Sequence, residues 1–296
     1  MAATDDPQMR PSLRQGLLDA DYMRNTYSAI REPLNLETQG QAWWRQIHSG
    51  ECHGSKSGLV LGGTPWLASE LSRKLRSVMV VDASRAMVDM VANELSHLSV
   101  TASRTLQRIR LIRGDWRSLP RICERLDVVV GDNSFNFMAY PGEWIALRNH
   151  LADRMKAGAT LMVRAWSPPS SHRSESITTV VDRFVKRRTV NYTEVRAALL
   201  FAHWSAGGYS IDTEYVLAMC QRHYADFKPL FRKFPLAPGN DFVTMAKYRD
   251  AGAVYYAPPL PEIIAMFSER FHVKSVNFGP YPMSRYFPLI VASRLR

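Results

Sequence analysis

The chain has 296 residues, 46% hydrophobic and 22% charged, with a formal net charge of +11. That composition suits a globular protein with one large domain, or one domain carrying an elaborate cap. No apolar run approaches the roughly 20 residues of a membrane span, and the polar start "MAATDDPQMRPSLRQ" has no signal-peptide core, so a cytoplasmic protein is expected. Cys52, Cys123 and Cys220 are far apart and form no Cys-x-x-Cys pair, which argues against a disulfide framework or a zinc site. The basic excess suits an acidic partner. Arginines are dense from Arg104 to Arg125, and Arg183, Lys186, Arg187 and Arg188 form a second cluster. Both read equally as solvated faces, since no stacking-aromatic RNA-binding signature accompanies them.

In chain order, residues 1–15 read as frayed and 16–50 as one or two helices. Next come a strand at 58–62 ("GLVLG"), a helix over 64–76 and a strand at 77–82 ("SVMVVD"). A helix over 84–98 follows, with Ser84 as its cap. Strands follow at 109–115 and 126–132, then a helix over 142–155 and a strand over 159–166 ("ATLMVRAW"). The apolar runs are continuous rather than alternating, as in strands buried on both faces of a parallel sheet. Residues 174–234 read as mostly helical and rich in aromatics, followed by a helix over 259–271 and two closing strands. The fold class expected is α/β, a Rossmann-like, doubly wound, mostly parallel sheet of seven strands with N-terminal helices and an inserted helical cap. The boundaries expected are 1–50 for the N-terminal segment, 51–167 with 259–296 for the core, and 168–258 for the cap.

"SGLVLGGTPW" (57–66) ends an apolar run in two glycines and a Thr-Pro-Trp turn. Ligands of open α/β sheets bind at the carboxyl ends of the strands, and a glycine turn there lets backbone N–H groups come close. Asp82 ends the next strand, twenty residues after Gly62, where a carboxylate can accept from both ribose hydroxyls. The third glycine of a dinucleotide fingerprint is missing and Pro65 and Trp66 fill the turn. A nucleoside without phosphates therefore fits better than a nicotinamide dinucleotide.

Over roughly 58–166 and the last two strands the chain resembles the class I S-adenosylmethionine-dependent methyltransferases. "LVLGGTPWLA" stands at the family's glycine loop, in a variant where Leu-Gly-x-Thr-Pro replaces Asp-x-Gly-x-Gly. The resemblance implies S-adenosylmethionine as the cofactor, held by Gly62, Gly63, Thr64 and Pro65 of that loop. In "VVDASRAMV" it implies Asp82 and Ala83 at the ribose and Met87 near the adenine. In "IRGDWRSLP" it places Asp115 on the adenine amino group and the Trp116 backbone on the ring. In "LDVVVGDNSFNFM" it sets Asp132 and Asn133 beside the sulfonium and the acceptor. Leu61 stands where many members carry an acidic residue, and Trp43, Trp44 and Arg45 are candidates to replace its contacts, provided the N-terminal segment folds over the cofactor; core packing is the other reading of the tandem tryptophans.

Methyl transfer is an in-line displacement that needs alignment and exclusion of water, and a general base only where the acceptor stays protonated. The Asn/Asp-Pro-Pro-Tyr/Phe motif of many amino-directed nucleic-acid methyltransferases is absent. The expected substrate is a small molecule, methylated at oxygen or nitrogen, in specialised metabolism. Phe135, Tyr140, Arg196 and Trp204 are the expected substrate contacts, and His203, His223 and Tyr192 the candidate catalytic groups. No metal and no membrane are expected. Nucleic acid as the substrate of an RNA-modifying enzyme, a non-catalytic regulatory protein on the same fold, and a homodimer all stay open.

Overall fold

The computed structural model describes residues 38–51, 57–97, 107–119, 125–188, 190–223 and 253–296; the side chains of Thr38, Glu51 and Tyr192 fall outside the described set. The expected helix before residue 38 therefore lies outside the described residues, as do Cys52 and Cys123.

Five parallel strands carry the apolar runs: β1 (Ser57–Leu61), β2 (Ser77–Asp82), β3 (Ile109–Arg113), β4 (Leu126–Asp132) and β5 (Met155–Arg164). Two short strands, β6 (Ser210–Asp212) and β7 (Val254–Tyr256), pair apart from the main sheet. β8 (Phe271–Asn277) and β9 (Leu289–Arg294) close the main sheet antiparallel, giving the order β3-β2-β1-β4-β5-β9-β8. The order reverses between β1 and β4, and the crevice beyond the carboxyl ends of these strands is where such sheets bind ligands.

The helices are α1 (Thr38–Glu51), α2 (Pro65–Lys74), α3 (Arg85–Ser96), α4 (Gly142–Arg154), α5 (Ile177–Val185), α6 (Tyr192–Ala202), α7 (Thr213–His223) and α8 (Leu260–Ser268). Among the described residues no helix is long and apolar enough to cross a membrane. One face of the sheet buries Val60, Val80, Val128 and Val130 against Leu67 and Leu71 of α2. The other buries Leu59, Leu61, Val129 and Leu161 against Trp144 and Leu147 of α4 and Phe267 of α8. Each such aliphatic side chain stabilises the fold by about 1.5–3 kcal/mol, which is why the strands read as unbroken apolar runs.

The structure departs from the expected elements in two places. β5 begins at Met155, ahead of the expected 159, because Met155 already pairs with Leu126; the register then shifts before Val128 meets Thr160, with Gly158 at φ +77°. The glycine takes the backbone conformation that the irregularity requires. The stretch expected to be mostly helical also holds β6. Its partner β7 lies beyond the described part of that stretch, so no local hairpin signal announces the pair.

α1 docks alongside α2. Arg45 Nε reaches Glu70 at 3.1 Å, Lys74 Nζ meets His48 Nδ1 at 3.2 Å, and Trp44 meets Trp66 edge-on with ring centroids 5.7 Å apart. Burial, and after it the Lys74 charge, press His48 down to about 4 against the pull of Glu70.

Candidate active site

The glycine turn fits around two side chains of its own protein. Gly62 has φ +94°, and a Cβ there would stand 3.3 Å from the Trp116 ring. At Gly63 a Cβ would stand 2.9 Å from both Cβ and Cε of Met87. Val81 O anchors the turn, accepting from Gly62 N–H at 2.9 Å and from the Trp116 indole N–H at 2.6 Å. So Trp116 contributes its side chain to the floor of the loop, where the sequence pointed to its backbone.

Asp82 joins the first loop to the second. One carboxylate oxygen accepts from Gly63 N–H and the other from Ser84 N–H, each at 2.8 Å. Ser84 Oγ in turn accepts from Met87 N–H at 3.3 Å and caps α3, which fixes the chain direction just after Ala83. Removal from water pushes Asp82 up to about 6, against the opposing pull of the two N–H groups. It is ionised at neutral pH, and each oxygen keeps acceptor capacity for a further donor. Thr64 precedes α2 without a side-chain cap bond and Pro65 fills its first turn, which supplies no N–H of its own.

Asp115 faces Arg117. The guanidinium spans both of its oxygens and also reaches Glu143 at 3.0 Å. Burial works to raise Asp115, but the Arg117 donors outweigh it and hold the carboxyl below its ordinary range. The group expected to meet an adenine amino group is thus already engaged by a neighbour.

At the other end of the crevice Asp132 pairs with Arg164, its register partner across β4 and β5. Arg164 is 0% exposed and sits against the rings of Tyr281 and Phe287. Asn133 stands in the left-handed region at φ 60°, and its N–H donates to Arg164 O at 2.8 Å. Ser134 Oγ donates to Leu61 O at 2.6 Å and so ties the end of β4 to that of β1. The Asn136 amide donates to Trp166 O and Tyr256 O, while its oxygen accepts from Trp166 N–H. That one side chain links β4, the segment after β5, and β7.

The expected acceptor contacts separate. Phe135 is a correction: it is fully buried between Trp144 and Phe267, because the turn after Asn133 directs it into the core. Arg196 is buried within α6. Tyr140 and Trp204 do meet in one cluster, through Tyr209. Trp204 stacks on Tyr209 at an interplanar angle of 8°, and Tyr140 meets Tyr209 edge-on at 5.5 Å. Tyr209 itself has φ 52°, a strained conformation for a bulky residue, held by Ala257 N–H on its carbonyl and by the Trp204 indole on Ala257 O. His203 meets Tyr215 edge-on, and burial, followed by the charge of His223, lowers its pKa. Both of those partners belong to α7, and the Tyr192 side chain lies outside the described residues. Burial pushes the Cys220 thiol up to about 12, in keeping with an inert filler. Among the described residues no group of three His, Cys, Asp or Glu side chains is placed to hold a metal.

Sequence reasoning missed Ser134, Asn136, Arg164 and His172. Arg164 did leave a signal, as a lone charge in an apolar strand. His172 follows β5 closely; its Nδ1 lies 3.1 Å from the Tyr286 hydroxyl and its ring meets Trp204 edge-on.

No protein-family model matches the sequence, and a comparison with curated proteins finds no match. Comparison with solved structures does. The CcbJ methyltransferase of Streptomyces caelestis aligns at TM-score 0.56 and 11% identity, over 94% of this chain and 98% of that one. An S-adenosylmethionine-dependent methyltransferase of Methanosarcina mazei aligns at TM-score 0.52 and 12% identity, over 88% and 99%. The N-methyltransferase NodS of Bradyrhizobium japonicum, in complex with S-adenosylhomocysteine, aligns at 0.51 and 10%, over 94% and 100%. A protein of Rhodobacter sphaeroides described as a zinc-dependent alcohol dehydrogenase aligns at 0.57 and 12%. The fold is that of the class I S-adenosylmethionine-dependent methyltransferases.

Proposed function

We propose that the chain transfers a methyl group from S-adenosylmethionine to a small-molecule acceptor, at oxygen or nitrogen. The observation that carries this reading is Asp82, pinned between the Gly63 and Ser84 N–H groups at the carboxyl ends of β1 and β2. Its free acceptor positions suit the two hydroxyls of a ribose. The glycines beside it keep the turn free of side chains, and no phosphate-binding run of glycines accompanies them. When bound, S-adenosylmethionine supplies an electrophilic methyl group on a sulfonium.

What the chain's own residues supply is position and exclusion of water. Asp82 holds the sugar, and Trp116 and Met87 support the loop from beneath. In this reading residues 168–258 act as the cap over the acceptor, and Trp204 and Tyr209 from that segment form its aromatic wall together with Tyr140 from the core. One structural neighbour, the glycopeptide N-methyltransferase MtfA at TM-score 0.50, is named for an acceptor other than nucleic acid, which agrees with this reading.

Calorimetric titration of the purified chain with S-adenosylmethionine and S-adenosylhomocysteine, with NADH as control, tests the reading. Binding of the first two without NADH is expected. Failure of both to bind would overturn it. Salt-dependent binding of tRNA would redirect the acceptor from a small molecule to nucleic acid.

A further inference from the structure

Asp115 stands where the base of a nucleoside would meet the sheet. β2 and β3 pair Asp82 with Arg113, and Gly114 N–H donates to Asp82 O at 3.0 Å. Asp115 therefore follows the register partner of Asp82 by two residues. Trp116, next along the chain, lies with its ring against Gly62 of the glycine turn. β1 and β4 lie on the opposite side of β2 from β3. A nucleoside with its sugar on Asp82 and its reacting end in the crevice at β1 and β4 thus turns its base toward β3. The side chains of Asp115 and Arg117 are 33% and 37% exposed, so this edge is open to a ligand.

The amino group of adenine is a donor, and Asp115 has little acceptor capacity left for it. One carboxylate oxygen accepts from the Arg117 backbone N–H at 2.8 Å and from Arg117 Nε at 3.0 Å. The other accepts from Nε at 2.9 Å and from Nη2. These contacts take up the roughly four acceptor positions of a carboxylate. Arg117 is held from its far side as well. Its Nη1 donates to Glu143 at 3.0 Å, and the second Glu143 oxygen accepts from Ala139 N–H at 2.6 Å. Glu143, in the first turn of α4, is thereby fixed and keeps the guanidinium in place. An amino group offers a single neutral donor in exchange for a charged fork with two prongs, and the charged pair is the stronger.

We propose that Arg117 is a specificity-determining residue for the cofactor's base: it keeps the Asp115 carboxylate from the adenine amino group, so that a purine lacking that group is accepted almost as well. This rests on the methyltransferase reading and deepens it. Affinity is then carried by the sugar on Asp82 rather than by the amino group. Arg117 acts through Asp115, so its signature is a change in the ratio of two affinities, which a merely structural residue would not produce.

The test is calorimetric binding of S-adenosylhomocysteine and of its 6-deamino analogue, which carries unsubstituted purine in place of adenine. The unaltered protein should separate the two by less than about 3-fold, a result that needs no variant. Arg117→Met removes the fork and keeps the aliphatic stem, with folding checked by circular dichroism. It should raise the preference for S-adenosylhomocysteine to about 10-fold or more, the size of a bond to a charged group. Adding Asp115→Ala to Arg117→Met should return the ratio to that of the unaltered protein. A preference of about 10-fold or more in the unaltered protein, or a ratio that Arg117→Met leaves unchanged, would overturn the proposal while leaving the cofactor assignment standing. If the unaltered protein binds neither ligand, the methyltransferase reading falls and takes this one with it.

Discussion

At the β1–β2 end of the crevice the main contacts are made by backbone: Gly63 and Ser84 N–H groups hold Asp82, and Val81 O holds the turn. At the β4–β5 end they are made by side chains: Arg164 holds Asp132, Asn136 holds Trp166 and Tyr256, and Ser134 holds Leu61. The first end is formed by residues within a turn of each other along two neighbouring loops. The second is tied together across long spans of sequence. In the proposed reading a ligand meets the remaining acceptor positions of Asp82 at the first end, so altering that end should change binding. The second end is a buried polar network, so altering it changes whether the sheet edge forms at all.

The sharpest way to break this contrast is at Asp132. Asp132→Ala leaves the Arg164 guanidinium buried without its carboxylate, and about 3–5 kcal/mol of stability should be lost in denaturant titration. Asp132→Leu combined with Arg164→Met should recover most of that loss, because no unpaired charge then remains. A comparably large change at the first end should appear in affinity instead. Asp82→Ala should weaken S-adenosylmethionine by about 100-fold or more, worth about 2.7 kcal/mol, in a calorimetric titration, with the fold retained. Asn136→Ala should cost about 1–3 kcal/mol in thermal or chemical unfolding, because it leaves the Trp166 N–H and the Tyr256 carbonyl without their partner.

The smallest effect sharpens the comparison through pH. Asp82 has its pKa raised by burial, so its contribution to stability is fully present below the ordinary carboxylate pKa near 3.8 and is lost as pH rises through about 6. Binding runs the opposite way, since ribose recognition needs the carboxylate. Cofactor affinity should fall as pH drops below about 6, and Asp82→Asn should remove that dependence. An affinity that is flat from pH 7 to 5 in the unaltered protein would show that Asp82 does not gain a proton over that range.

Much of the first end was legible because its signals are local. The apolar runs gave β1 to β4, Ser84 gave the start of α3, and the spacing from Gly62 to Asp82 gave two loops on one edge. The second end hid because its partners are distant in sequence. Arg164 stands out as a charge in a strand, but nothing near it names Asp132, which the sheet register supplies. Asn136 bonds a carbonyl 120 residues away. β6 and β7 have three residues each, too short for a period to show. The turn after Asn133 sent Phe135 into the core, and periodicity cannot foresee a left-handed residue.

The sheet order also sets a timetable for synthesis. β5 leaves the ribosome well before its antiparallel partner β9, the last strand of the chain, and Arg164 pairs with Leu289 only when that strand arrives. At about 5–20 residues per second, the interval lasts roughly 6–25 seconds. During that time a strand whose second half is mostly apolar presents an unpaired edge in a crowded solution, the condition under which strands join the wrong neighbour. Chains that stop short of residue 289 never cover it, so truncated products of this protein should partition to the insoluble fraction whatever the state of their cofactor site.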